Sequence, residues 1–179
     1  GTRLRLDATP FAGTFDERAT TFLTLDGRAS AYWALTGDAR YVLAARARLA
    51  TILAEDIDKV PPTRRLYSGG GDSVRGYAKD VIGPLNGNND PVGGLAAVET
   101  GLELRARVWD DIGGALFLEA GSVSESSWPD FAEGVQVAAG VGIRYYSPVG
   151  PIRADVGVPL NPRNSDDIFQ VYFSIGQAF

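Results

Sequence analysis

Methionine, cysteine and histidine are all missing from this 179-residue chain. Without cysteine there are no disulfides and no thiolate metal sites, and without histidine the commonest general base, metal ligand and pH switch is gone. Most hydrolase and zinc chemistries are thereby excluded, so the chain is read as no enzyme, with no catalytic residue, metal or cofactor expected. A chain without methionine is expected to be a piece of something longer, and such a piece would show no signal peptide. No apolar run reaches the roughly 18 residues of a transmembrane helix, and mean hydropathy is only −0.05. A membrane β-barrel would have this profile, because only every second residue faces lipid. A formal net charge of −5 argues against a nucleic-acid partner, which calls for a basic surface.

What is present is alternation. Period-two patterning recurs from end to end and helical periodicity does not, which predicts an all-β, antiparallel chain. In residues 95–108, Ala96, Val98, Leu102, Leu104, Ala106 and Val108 oppose Glu99, Gly101, Glu103, Arg105 and Arg107. One face is greasy and the other charged. The split returns in residues 116–121 and 135–145, and Ile152, Ala154, Val156 and Val158 oppose Arg153 and Asp155. Similar segments at Leu4 and Leu6, residues 23–35, residues 41–53 and residues 168–179 bring the expected number of strands to about eight. Most are near the ~9 to 11 residues that cross a bilayer at a tilt; the first and seventh look shorter.

The connections alternate in expected length. They are long at residues 9–20, 54–93 and 160–167, medium at 124–134, and short at 36–38, 110–114 and 147–150. Long loops at one rim and short turns at the other are an outer-membrane barrel's arrangement. Trp33, Tyr41, Trp109, Phe169 and Phe179 fall near strand ends, where an aromatic girdle would sit. A soluble antiparallel sheet also has one apolar face, and on patterning alone it remains the competing reading.

Three motifs bear on the family. Residues 68–77 read Ser-Gly-Gly-Gly-Asp-Ser-Val-Arg-Gly-Tyr, inside the longest loop. Residues 142–160 read Gly-Ile-Arg-Tyr-Tyr-Ser-Pro-Val-Gly-Pro-Ile-Arg-Ala-Asp-Val-Gly-Val-Pro-Leu, and residues 172–179 read Tyr-Phe-Ser-Ile-Gly-Gln-Ala-Phe. In order and spacing they resemble the large barrel loop, the hairpin before the last strand and the C-terminal assembly signal of the outer-membrane protein assembly factor superfamily, the BamA/TamA-type surface-antigen barrels. The glycine-rich approach to Arg75 and the Gly-Gln-Ala-Phe ending look closer to TamA than to BamA.

That resemblance implies the last eight strands of a sixteen-stranded barrel in the bacterial outer membrane, with residues 1–179 as one part-domain and residues 54–93 as a loop entering the lumen. It implies a loop-lock motif of Val74, Arg75, Gly76 and Tyr77, with Arg75 meeting Glu103 and Glu119; Glu119 stands where the family more often has Asp. Tyr172, Phe173, Ile175, Gly176 and Phe179 would form the assembly signal and seam strand. The implied partners are outer-membrane lipid, the N-terminal half of the barrel, periplasmic POTRA domains, client outer-membrane proteins and an inner-membrane-anchored protein. The implied function is folding, insertion or translocation of other barrels or autotransporters. A two-partner-secretion transporter and a purely structural small barrel are the alternatives. Blander readings stand beside these: a flexible turn for Gly69, Gly70 and Gly71, and a solvated lumen wall for Arg46, Arg48, Arg105 and Arg107.

Overall fold

The computed structural model describes residues 1–132, 134–148 and 150–176. Eight strands follow one another: β1 (Thr2–Phe15), β2 (Arg18–Ala34), β3 (Tyr41–Leu53), β4 (Ala96–Arg107), β5 (Ile112–Ser124), β6 (Gln136–Ser147), β7 (Gly150–Pro159) and β8 (Gln170–Ile175). Each pairs antiparallel with the next in a single sheet of order β1 to β8. Among the described residues β1 and β8 do not pair, so the sheet is an open trough.

The two faces invert the habit of a soluble protein. Leu4, Leu6, Leu49, Leu102, Leu104, Leu116, Leu118, Val141, Ile143, Phe173 and Ile175 are exposed, whereas Glu99, Glu103, Arg105, Glu119, Arg144, Arg153 and Asp155 are buried. A row of unpartnered leucines is costly in water and costs nothing in hydrocarbon.

The concave face is covered by residues 54–95. Two short 3-10 turns, Ile57–Lys59 and Pro62–Arg64, open this segment, and isolated bridges Leu66↔Gly94, Ser68↔Ile82 and Leu85↔Pro91 fold it back on itself. Val60, Leu66, Val74, Tyr77 and Ile82 from the segment pack on Phe22, Ala50, Ile52, Ala97, Val123 and Ala138 of the wall. The apolar core therefore lies between the loop and the inner wall.

Two expectations need correction. Residues 9–20 are not a long loop: β1 runs for 14 residues and joins β2 through Asp16 and Glu17, both at positive φ (50° and 60°). Left-handed residues at both central positions give a two-residue hairpin its twist. Pro10 lies within β1, opposite Leu23 of β2. The last strand starts at Gln170 and not at Ile168. The residue that would face Ile168 is Pro159, which has no N–H for the ladder. Phe179 lies outside the described residues.

Candidate functional site

The tip of the long loop descends onto the wall at Val74, Arg75, Gly76 and Tyr77. Its neck is closed by a hydrogen bond from Gly70 N to Tyr77 O (3.1 Å) and by Ser73 Oγ, which meets Ser68 Oγ (2.8 Å) and accepts from Gly69 N (2.9 Å). The three glycines are thus part of a closed neck. Gly69 and Gly70 take φ of 108° and 99°, a region that side-chain-bearing residues avoid.

Arg75 is 1% exposed. Its Nε and Nη2 donate to Glu119 Oε1 at 3.1 and 2.7 Å, and its backbone N–H donates to Glu119 Oε2 at 2.7 Å. Nη1 lies 2.8 Å from Glu103 Oε2 and donates to Asp155 Oδ2 at 3.2 Å. The guanidinium carbon sits 3.7 Å from the centre of the Phe117 ring. Burial alone would lower the pKa of such a group, but the carboxylates of Glu119, Glu103 and Asp155 outweigh it and hold the pKa above the ordinary value. Glu119, the longer acid, reaches the loop backbone and the guanidinium together.

Register explains the geometry. Glu103, Phe117, Gly140 and Gly157 face one another across β4, β5, β6 and β7. With glycine in the last two places the wall is flat enough for the loop backbone to lie on it. A Cβ at Gly157 would come within 2.7 Å of Gly76 N, and one at Gly140 within 2.2 Å of the Phe117 ring. Gly76 itself needs φ of 117°.

The clamp is one end of a larger network. Arg144 meets Asp155 at 2.5 Å and Glu103 at 3.3 Å, and Arg105 meets Glu103 at 2.6 Å. Arg46 spans Glu99 and Glu119 at 3.4 Å each, and Arg48 joins Glu99 (3.1 Å) to Asp26 (2.8 Å). Arg46 and Arg48 therefore cross-link neighbouring strands through ion pairs, Arg105 pairs within β4, and Arg107 lies 4.3 Å from the Tyr146 ring. Beside the loop, the inner wall of β1 to β3 leaves an open cavity of about 1010 Å³ that Arg28, Arg46, Arg48 and Lys79 help to line.

The structure brings Glu103 and Glu119 together on Arg75. The sequence reading missed the third acid, Asp155, although Asp155 shares the inward parity of its strand. It also missed Arg144, and the polar cradle of Tyr77, whose hydroxyl donates to Asn161 Oδ1 at 3.0 Å. Arg163 grips the loop further along, at Gly83 O (2.9 Å) and Val81 O (2.5 Å). The residues of the last strand divide by side. Phe173 and Ile175 point outward and are exposed. Tyr172 points inward, donating to Tyr77 O (2.6 Å) and accepting from Gly76 N (3.3 Å). Gly176 lies past β8 at φ 108° and donates to Pro151 O at 2.8 Å.

This geometry meets its relatives in three comparisons. The Omp85 superfamily domain matches residues 1–179. The outer membrane protein assembly factor BamA of Nitratidesulfovibrio vulgaris is 32% identical over 148 residues, 78% of this chain and 18% of the relative. Among solved structures, BamA from Haemophilus ducreyi lacking POTRA domains 1–3 superposes with a TM-score of 0.72 over 96% of this chain and 37% of that one, at 22% identity. The chain thus spans less than a fifth of the length of the curated relative it matches.

Proposed function

Because the chain belongs to the Omp85 superfamily, we propose that it forms the C-terminal part of an outer-membrane barrel that folds and inserts other β-barrel proteins. The observation that carries this reading is the Arg75 clamp. A barrel that served only as a wall would have no use for a forty-residue loop pinned inside it by three carboxylates on β4, β5 and β7. A machine that must keep a lumen occupied and a wall in register does. The work is done by shape and by pairing of backbone edges, with no bond made or broken, so the protein is not an enzyme.

The margins at β1 and β8 are completed by the N-terminal half of the barrel, since each unpaired backbone group in lipid costs several kcal/mol. POTRA domains, client outer-membrane proteins and an inner-membrane-anchored protein are the further partners. A TamA-like role with autotransporter clients is the narrower reading, supported by the glycine-rich approach to Arg75 and the Gly-Gln-Ala-Phe ending.

The test uses the full-length protein in liposomes, with urea-denatured barrel and autotransporter clients followed by heat-modifiable gel migration. Wild type is expected to accelerate client folding over empty liposomes, and an Arg75→Ala barrel that still inserts is expected to lose most of that acceleration. No acceleration of any client by wild type would overturn the proposal.

A further inference from the structure

On the convex wall, where leucines are exposed, three residues break the pattern. Ala96, Ser122 and Ser124 have the outward parity of Leu102, Leu116 and Leu118, yet they are only 1%, 4% and 4% exposed, against 49%, 57% and 49% for the leucines. Something covers them. It is the connection between β5 and β6, which turns outward over the rim and bonds to the ends of β3 and β5, with Ala96 of β4 between its partners Thr51 and Ser124.

Hydroxyls of the wall and the strap make the seam. Thr51 Oγ1 donates to Ser127 O (2.5 Å), Ser127 Oγ to Ile52 O (2.7 Å), Ser122 Oγ to Gly134 O (3.0 Å) and Ser124 Oγ to Trp128 O (3.1 Å), while Asp130 N donates to Ser124 Oγ (3.3 Å). Strap carbonyls at Ser127, Trp128 and Gly134 are thereby satisfied by side chains. Water would satisfy them equally well at an ordinary surface; where acyl chains begin, water grows scarce and the hydroxyls of the wall take its place. With its backbone bonded to the wall, the strap presents Trp128 and Phe131, 74% and 55% exposed.

Depth follows from the strand. The apolar outward run on β5 goes from Ile112 through Leu116 and Leu118 to Ala120; at ~3.4 Å per residue and a tilt of ~40° it spans about 20 Å, close to the ~25 Å band of an outer-membrane barrel. Ser122 and Ser124 begin where that run ends. The strap therefore lies at the boundary between acyl chains and head groups. Trp128 suits that level, with an apolar ring and one N–H donor. Glu125 and Asp130 are exposed on the same strap, and charge keeps it from sinking further.

We propose, resting on the outer-membrane reading, that residues 125–132 are a membrane-interface anchor: Trp128 and Phe131 insert into the head-group boundary of the outer leaflet and set the depth and tilt of this half of the barrel. The occupant of the strap's outer side is lipid, not a protein subunit.

The test places full-length wild type and Trp128→Phe in phosphatidylcholine vesicles containing phospholipid brominated either near the head of the acyl chain or at its end. The difference in emission between the two proteins reports Trp128 alone. That difference should be blue-shifted from water-exposed indole, quenched most strongly by the shallow bromines and sheltered from aqueous iodide. Combining Thr51→Val with Ser124→Ala should release the strap and shift the difference emission to the red. A difference emission quenched by iodide and untouched by either lipid would overturn the anchor, as would shelter from iodide without bromine quenching, which would mean a protein neighbour. Failure of the outer-membrane reading would look different: no tryptophan at all would respond to the bromines.

Discussion

Two connections of this chain fold back onto the sheet, and they do so by opposite means. Residues 54–95 turn inward and are held by a buried guanidinium among three carboxylates. Residues 125–132 and Gly134 turn outward and are held by neutral hydroxyls on backbone carbonyls. The inner wall is a polar enclosure with acids on β4, β5 and β7, where a cation on the loop finds partners already in place. The outer wall is bounded by lipid, where one unpaired charge would cost more than the attachment is worth. The environment on each side decides which kind of bond can hold a loop.

The comparison breaks first at Arg75. Arg75→Ala leaves Glu103, Glu119 and Asp155 crowded without their shared counter-ion, and the folded loop should lose on the order of 3 to 5 kcal/mol. The measurement is the urea midpoint for protection of the loop from protease in the full-length protein. A midpoint within error of wild type would mean that the apolar core of the loop, not the clamp, holds it.

Arg75→Lys should cost less, roughly 1 to 3 kcal/mol, because an ammonium cannot present parallel donors to Glu119 while reaching two further acids. A double-mutant cycle of Arg75→Ala with Glu119→Gln should show strong coupling. Additivity would place the guanidinium outside Glu119's reach.

Gly157→Ala probes the same inner contact without touching charge. Its Cβ would meet the Gly76 backbone at 2.7 Å, so a loss of about 1 to 3 kcal/mol is expected from overpacking. The outward-facing Gly27 is the control: a Cβ there has nothing nearer than 3.7 Å, and Gly27→Ala should leave the midpoint unchanged.

The smallest effect belongs to the outer strap. Ser124→Ala removes neutral hydrogen bonds only, and global stability should fall by about 1 kcal/mol or less. Protease access within residues 125–132 should nonetheless rise, and a global loss matching that of Arg75→Ala would erase the distinction between the two attachments.

Much of this was legible because alternation is a local property. Which residues of β4 to β7 face inward follows from parity alone, and the Val-Arg-Gly-Tyr tip stands out within its glycine-rich loop. The third acid was not legible, because that Asp155 joins Glu103 and Glu119 depends on the register of β7 against β6, where Asp155 faces Gly142. The length of β1 was not legible, because its greasy-and-charged alternation fades after Asp7 while the pairing with β2 continues to Phe15↔Arg18. The strap left a signal that parity could have found: Ser122 and Ser124 continue the outward row of Leu116 and Leu118, and hydroxyls there mark where apolar surroundings end.

Tyr172 has a consequence for how the margin of the sheet can open. β8 is joined to β7 over six residue pairs, from Ile152↔Ile175 to Gly157↔Gln170, and its inward tyrosine holds both Gly76 and Tyr77 at the loop tip. Peeling the strand and releasing the loop are therefore linked equilibria. By reciprocity, whatever the loop's grip adds to the work of detaching β8, the detached strand subtracts from the grip. Loss of the β7–β8 ladder and release of the loop tip become two readouts of one coupling free energy, with one phenolic oxygen as their point of exchange.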